Sequence, residues 1–171
     1  MSAHRALIVD GYNVIHATEP YRRLAEDDLD AARAALVSDV SAYAHGEWSA
    51  TVVFDGHKNP SSDGSSSEIA GVTVIFSRYG IDADSVIESL ARVARSNGKD
   101  TCVVTSDAQT QWAVLGGSVT RMSSGEFTAE LATGSREWEE HTPAGSSKTR
   151  IEDRVDADTR ERLWRLARGL R

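Results

Sequence analysis

Aspartates follow the short apolar runs of this sequence or open the helical pattern that comes next. Asp10 follows "ALIV", Asp55 follows "TVVF" and Asp107 follows "VVTS". Asp82 and Asp84 come soon after "GVTVIFS", at the start of a helical pattern. The ends of parallel strands share one edge of a sheet, and open α/β sheets bind ligands there. We therefore expect these carboxylates to meet at one edge.

Several carboxylates in one place repel one another unless a cation compensates their charge. Oxygen ligands without histidine or thiolate favour Mg²⁺ or Mn²⁺, and a water on such an ion can become a nucleophile for phosphoryl chemistry. A single aspartate at such a place is more often a turn or capping residue, so the interpretation depends on the number of acids. We expect either Asp82 or Asp84 to be the N-cap of its helix.

The residues after Asp10 admit structural and functional interpretations. Gly11 is expected to take backbone angles closed to other residues, so that the chain leaves the strand sharply and no side chain blocks the approach to Asp10. Asn13 could orient an acid, a water or a phosphate oxygen, or it could cap a short helix in "NVIHA". Tyr12 could stack on a base, but packing against its own loop is the simpler expectation. The segment from Asp10 to Asn13 is therefore compatible with the expected site, but it does not identify the site by itself.

Apolar runs and helical patterns alternate along the chain, which predicts a mostly parallel sheet covered on both faces. The predicted strands lie in "RALIVD", "ATVVFD", "GVTVIFS", "DTCVVTSD" and "GSVTRM". The predicted helices cover Leu29 to Tyr43, "DADSVIESLARVARS", "SDAQTQWAVLGG" and "SSGEFTAELATG".

Length and composition fit one globular domain. The chain has 171 residues, of which 40% are hydrophobic, and its formal net charge is −7. This charge argues against a domain that holds nucleic acid by bulk electrostatics alone, although divalent cations can bring a polyanion to acidic residues. The one cysteine, Cys102, excludes an intramolecular disulfide and predicts a buried thiol. With no signal-like or membrane-spanning run, we expect a cytoplasmic protein that binds no membrane.

The pattern predicts three segments: a main domain over 1–140, a linker over 141–149 and a basic amphipathic C-terminal helix over 150–171. From Lys148 onward, eight Lys or Arg stand against five Asp or Glu. The apolar stripe of this helix is expected to dock on the domain. The segment from Gly56 to Gly71, rich in serine and glycine, is expected to be a mobile loop between two strands.

The motifs "LIVDGYNVIHA", "VVFDGH", "YGIDADSVIE" and "VVTSDAQTQWAVLGG", in this order, resemble the YacP-like branch of the NYN-domain family, within the PIN-like metal-dependent nucleases. The similarity runs from Ala6 to about Leu131. It implies a three-layer α/β/α PIN-like fold, Mg²⁺ or Mn²⁺, and an endoribonuclease that leaves 5′-phosphate and 3′-hydroxyl ends. It also implies messenger RNA as substrate and the ribosome as partner. The serine-rich loop and basic tail depart from the family pattern, which weakens the ribosome expectation more than the chemistry.

The resemblance assigns catalytic roles to Asp10, Asn13, Asp84 and Asp107, and it adds Asp55 to the three aspartates as metal ligands. Asp82 falls where relatives can carry a non-acidic residue. Residues matching the family's "QW", Gln111 and Trp112, would support the site wall or the core.

Basic residues near the expected edge are candidates for holding phosphate. They are Lys58, Arg78 and Arg121, with Asn13 as a polar partner, although a solvated surface charge is the simpler expectation for each cation. His57, two residues after Asp55, could protonate the leaving group, but exposure in the loop is the simpler expectation.

Other functional classes fit less well. A receiver domain places adjacent acids after its first strand and a lysine after its fifth, whereas Gly11 follows Asp10 and the fifth strand contains Arg121. A haloacid dehalogenase-like phosphatase needs a second aspartate where Tyr12 stands, and "NGKDT" does not open a helix as a nucleotide-binding loop would. A catalytically silent PIN-like module that binds RNA or a partner stays open. The sequence also leaves the oligomeric state and the RNA sequence preference open.

Overall fold

The computed structural model describes residues 5–107, 116–141 and 156–170, and it describes 135–141 by their backbone only. One six-stranded sheet forms the centre of the described chain, in the order β3-β4-β2-β1-β5-β6. The strands are β1 (Arg5–Asp10), β2 (Trp48–Phe54), β3 (Ser66–Ile69), β4 (Val72–Phe76), β5 (Asp100–Val104) and β6 (Val119–Met122). Only β3 is antiparallel to its neighbour, so the sheet is mostly parallel, as predicted.

The strand order places the ligand-binding crevice. Counted along the chain, the five parallel strands lie in the order 3-2-1-4-5, so the connections run to one side of β1 first and then to the other. The crevice of such a sheet lies outside the carboxyl ends of the strands, where the direction reverses. Here that point lies between β1 and β5. Asp10 is the last residue of β1, and Asp107 comes shortly after the end of β5. A receiver domain has the order 2-1-3-4-5, so the topology excludes that alternative.

The described helices are α1 (Gly11–Ala17), α2 (Tyr21–Asp27), α3 (Leu29–Ala44), α4 (Ala83–Ser96), α5 (Ser124–His141) and α6 (Ala157–Ala167). Side-chain caps explain several starts: Asp10 caps α1, Asp28 caps α3, Asp82 caps α4 and Asp156 caps α6. The sequence pattern predicted α3, α4 and α5 but missed α2, whose seven residues bury only Tyr21. So short a helix carries too little apolar periodicity to detect.

The sheet separates two apolar clusters, as the three-layer prediction requires. Alternate residues of β1 point to opposite sides: Leu7 and Val9 join the cluster that includes α3, whereas Ile8 joins the one that includes α4. Burial on both faces explains why these strands read as continuous apolar runs. Cys102 is buried and carries a free thiol.

The C-terminal helix α6 packs on the domain through its apolar stripe. Leu163 is fully buried in the α3-side cluster, and Ala167 is nearly so. Gly169 follows with φ +65°, and a Cβ there would lie 2.0 Å from the carbonyl oxygen of Ser61. The docking expectation is therefore confirmed for the described residues 156–170.

The prediction of a loop from Gly56 to Gly71 is wrong in its second half. Ser66–Ile69 forms β3, which pairs with β4 at the edge of the sheet, and Ile69 is fully buried. The sequence did not indicate this strand, because an edge strand buries few side chains and its serines give no apolar pattern. The turn before β4 uses Gly71 at φ +77°.

Several predicted features lie outside the described residues. They are the helix over most of "SDAQTQWAVLGG", Gln111 and Trp112 within it, residues 142–149 of the linker, and the first part of the predicted C-terminal helix. The domain boundaries therefore stay predictions. In the described part of the chain, no helix has the length and apolar character needed to cross a membrane.

Candidate active site at the carboxyl edge of the sheet

Asp10 sits where the central strand passes into α1. It is the last residue of β1 and the N-cap of α1, and its Oδ1 accepts a hydrogen bond from the backbone N–H of Asn13 at 3.3 Å. Only 9% of its surface is exposed. The strand therefore places a carboxylate at the edge of the core, where its charge is poorly solvated.

Gly11 is required for packing rather than for a sharp exit from the strand. Its backbone is not in the left-handed region. A Cβ at this position would lie 2.4 Å from Cε1 of Phe54, so any larger residue would collide with that buried ring. The expectation that Gly11 supplies special backbone angles is therefore wrong. The Tyr12 ring packs on Phe54 of β2, at 5.1 Å between centroids, rather than on its own loop, and it stays half-buried.

Asp82 and Asp84 have different surroundings although they are two residues apart. Asp82 is the N-cap of α4, and its Oδ1 accepts a hydrogen bond from Ser85 N at 2.8 Å. The side-chain and backbone hydrogen bonds from Ser85 hold the pKa of Asp82 below its usual value. Asp84 lies in the first turn of α4 and is half-buried at the cleft. The structure thus assigns the capping role to Asp82.

Asn13 connects the segments that carry the acids. It lies in α1 and does not cap it; its side-chain oxygen accepts hydrogen bonds from the Ser106 backbone N–H at 2.8 Å and from the Ser124 hydroxyl at 2.6 Å. Ser106 precedes Asp107, and Ser124 begins α5. Asn13 therefore holds the end of β5 against α1, and with it the backbone that positions Asp107.

Five aspartates line one cleft of about 480 Å³, which we call the acidic cleft. Its lining residues are Asp10, Tyr12, Asn13, His16, Ala17, Asp55, Asp82, Ala83, Asp84 and Asp107. The expected meeting of the strand-end acids at one edge is thus found. His16 was not anticipated, although its position one turn after Asn13 on α1 indicates the same face of that helix.

The electrostatics of the acidic cleft centre on Asp10. Burial is the main cause that raises the pKa of Asp10 to about 6, and the negative charges of Asp84, Asp107 and Asp55 act in the same direction. The hydrogen bond from Asn13 opposes them and lowers this pKa. The ionised form of Asp10 is therefore destabilised, both by poor solvation and by repulsion from the other carboxylates. A cation would relieve this repulsion.

The donor set fits a hydrated divalent ion better than a closed cage. In the parts of the chain that the structure describes, no three Asp, Glu, His or Cys side chains are arranged so that they could together hold an ion. Mg²⁺ is commonly held by one or two carboxylates and keeps several waters, so it does not need such a cage. Carboxylate and amide oxygens suit Mg²⁺ or Mn²⁺.

Asp55 is engaged by its own loop. Its Oδ1 accepts a hydrogen bond from the backbone N–H of His57 at 2.8 Å and lies 2.5 Å from the Nδ1 atom of the same residue. The His57 side chain is 40% exposed, as expected for a loop residue, but it is also paired with Asp55. Asp55 thus faces the acidic cleft while one of its oxygens already has partners.

The predicted phosphate-binding cations do not line the acidic cleft. Arg121 donates a hydrogen bond to the carbonyl oxygen of Thr105 at 2.9 Å, and Arg78 lies exposed in the loop after β4. Lys58 lines a neighbouring cleft instead. Sequence proximity to a strand end gave the correct edge for these residues but not the direction of their long side chains.

Comparison with known proteins identifies the family. The family model of the YacP-like NYN domain matches residues 7–168, which is almost the whole chain. The chain belongs to the YacP-like NYN family. This YacP-like chain is 32% identical over 128 residues to "Uncharacterized protein YacP" of Bacillus subtilis, covering 74% of this chain and 75% of that protein.

Solved structures of Rae1 (YacP) from Bacillus subtilis share the fold of this YacP-like chain. A point mutant of Rae1 superposes with a TM-score of 0.66 at 29% identity, covering 93% of this chain and 97% of Rae1. A second Rae1 structure gives a TM-score of 0.65 at 32% identity, with coverage of 82% and 79%. Membership of the NYN family indicates a nuclease-like function related to RNA.

Proposed function

We propose that this chain is a Mg²⁺- or Mn²⁺-dependent endoribonuclease that hydrolyses RNA phosphodiester bonds in the acidic cleft. The observation that carries the proposal is the arrival of Asp10, Asp84 and Asp107, from three separate segments, in one cleft at the point where the strand order reverses. A pure binder of polyanions would gain nothing from this concentration of negative charge.

The residues divide into those that would hold the ion and those that place them. Asp10, Asp84 and Asp107 are the proposed ligands, one or two of them bound directly and the others through waters of the ion, with Asp55 beside them. Asn13 is a positioning residue, because its side-chain oxygen fixes Ser106 and Ser124 around Asp107. A bound Mg²⁺ or Mn²⁺ would supply a water of lowered pKa and polarise the phosphoryl oxygen.

The family likeness extends the proposal to messenger RNA on the ribosome. The acidic main domain cannot hold RNA by bulk charge, so a partner that presents the strand would suit it. Co-sedimentation of the protein with ribosomes tests this part, independently of cleavage.

Cleavage of a short unstructured RNA in the presence of Mn²⁺ tests the nuclease proposal. The native protein, Asp10→Asn and Asp84→Asn are compared with Asp100→Asn, which changes an exposed aspartate at the opposite end of β5. We expect loss of cleavage in the first two variants and native rates in the control, because only the first two remove charge from the acidic cleft. Circular dichroism checks that all four proteins are folded.

Equal cleavage by the native protein and by Asp10→Asn would identify a contaminating nuclease and contradict the proposal. Binding of RNA by the native protein without cleavage under Mn²⁺ or Mg²⁺ would instead support the catalytically silent module.

A further inference from the structure

A second cleft of about 410 Å³ adjoins the acidic cleft, and both are lined by Tyr12 and Asp55. Its other walls include Arg33, His57, Lys58 and Phe76, which we use to define the second cleft. Its volume lies in the range of small-ligand sites. Because Tyr12 and Asp55 line both clefts, the two clefts are neighbours on the surface of the domain.

The second cleft is less acidic than the first, although Asp55 lines both. The acidic cleft contains five aspartates, whereas the second cleft presents Arg33, His57 and Lys58 beside aromatic rings. The Lys58 side chain is exposed, and no hydrogen bond or ion pair joins it to any residue within 5–107, 116–141 or 156–170. Its ammonium group is therefore available to a phosphate.

The aromatic wall is held by Arg33. The Arg33 Nε atom donates to the Tyr12 hydroxyl at 3.0 Å, and its NH1 atom pairs with Asp30 at 2.5 Å. The guanidinium also lies 5.4 Å from the ring centroids of both Tyr12 and Phe76. The Tyr12 ring is thus fixed in place by Arg33 and Phe54, and the part of it that stays exposed can contact a base.

The loop that carries Lys58 is anchored on two sides. The backbone N–H of Gly80 donates to the His57 carbonyl oxygen at 2.9 Å, and the Asn59 side chain donates to the carbonyl oxygen of Ala167 at 2.7 Å. The second bond reaches the end of α6, so the C-terminal helix helps to build this cleft. A loop held in this way loses little conformational entropy when a ligand binds.

We propose that the second cleft binds one unpaired nucleotide of the RNA strand, next to the phosphodiester in the acidic cleft, with Lys58 on its phosphate and Tyr12 against its base. This inference rests on the proposed function and adds to it a nucleotide subsite beside the acidic cleft. A base inside a duplex is stacked and paired, so it must be turned out before it can enter a cleft of this kind.

RNA binding without added metal tests the subsite separately from cleavage. Fluorescence anisotropy of a labelled eight-nucleotide single-stranded RNA in EDTA compares the native protein with Lys58→Ala, Lys58→Arg and Lys99→Ala. Lys99 is the matched control, because it precedes β5 at the opposite edge of the sheet. Since Lys58 lacks partners among the described residues, the substitution should leave thermal unfolding unchanged.

We expect Lys58→Ala to weaken binding about 5- to 10-fold and to reduce the salt dependence of binding by about one phosphate contact. Lys58→Arg should keep most of the affinity, and Lys99→Ala should match the native protein. The same RNA in a duplex should bind more weakly and with equal affinity to the native protein and Lys58→Ala. Equal losses in Lys58→Ala and Lys99→Ala, or no loss in either, would overturn the subsite.

Crosslinking places the nucleotide in the cleft itself. An RNA with 4-thiouridine should crosslink to Tyr12 or to residues 55–59, and crosslinks confined to other regions would contradict the proposal. These results do not depend on cleavage. A protein that binds as expected but never cleaves would refute the nuclease proposal while leaving the nucleotide subsite standing.

Discussion

The β1–α1 junction and the turn before α4 both place a capping aspartate at the acidic cleft. The pKa of the carboxyl group is raised at the first and lowered at the second. Asp10 and Asp82 each accept a hydrogen bond from the backbone N–H three residues later. Burial raises the pKa of Asp10 to about 6, whereas the hydrogen bonds from Ser85 lower the pKa of the exposed Asp82. The local motif is the same, and the surroundings decide the result.

The comparison separates a helix cap from a site residue. Water solvates the charge of Asp82, so its hydrogen bonds stabilise the ionised form. Asp10 lies on the central strand with Asp55 and Asp107 following the two neighbouring strands, so its charge is both desolvated and repelled. A capping aspartate is a candidate metal ligand when the fold buries it and places other carboxylates beside it.

The largest expected difference is in activity. Asp10→Asn and Asp82→Asn remove the same charge and keep side chains that can cap a helix. We expect Asp10→Asn to reduce RNA cleavage under Mn²⁺ by at least about 100-fold, since it removes a charge aimed at the reacting centre. Asp82→Asn should stay within about twofold of the native rate, because its cap survives. Similar losses in single-turnover assays of both variants would remove the distinction between the two junctions.

The next effect is on the stability of the metal-free protein. Because the folded-state pKa of Asp10 is raised, its contribution to stability is complete below the unfolded pKa of about 4 and is lost as pH rises through about 6. An asparagine side chain cannot ionise, so Asp10→Asn should be more stable than the native protein at pH 7.5, by up to about 3 kcal/mol. The two proteins should converge near pH 4.

Urea unfolding in EDTA between pH 4 and pH 8 measures this difference directly. A constant gap between native protein and variant across that range would show that the pKa of Asp10 is not raised. Asp82→Asn serves as the control, because a lowered pKa gives the opposite sign: its stabilisation is present above the unfolded pKa and is lost as pH falls.

The smallest effect isolates the cap of α4. Asp82→Ala removes the acceptor of the Ser85 hydrogen bond and should cost about 1 kcal/mol of stability at neutral pH. Thermal unfolding at pH 7.5 measures it, and Asp82→Asn should recover most of the loss. A cost for Asp82→Asn as large as for Asp82→Ala would mean that the charge, rather than the cap, stabilises this turn.

Much of the fold could be predicted because its strands are buried on both faces. Residues such as Ile8 and Val53 make short, continuous apolar runs, and the helices between them require parallel pairing. The edge strand Ser66–Ile69 escaped prediction because it contains two serines and a glutamate and has one strand neighbour. Its only strong sequence signal is Ile69, which is too little to distinguish a strand from a loop.

The candidate site was predicted in position but not in detail. Turn chemistry and strand polarity indicated that Asp10, Asp84 and Asp107 would share an edge, and they line one cleft. The pairing of Asp55 with His57 and the hydrogen bonds of Asn13 to Ser106 and Ser124 could not be read from the sequence. Side-chain direction and contacts between distant segments decide these features.

The sequence by itself determined which acids this protein carries to the carboxyl edge, because chain order and apolar runs specify where parallel strands end. Only the tertiary structure decided which of them is buried, which caps a helix in water, and which basic side chains form a second cleft beside them. The physical reason is that solvation and Coulomb interactions depend on distances between segments far apart in the chain, and those distances exist only once the sheet is assembled.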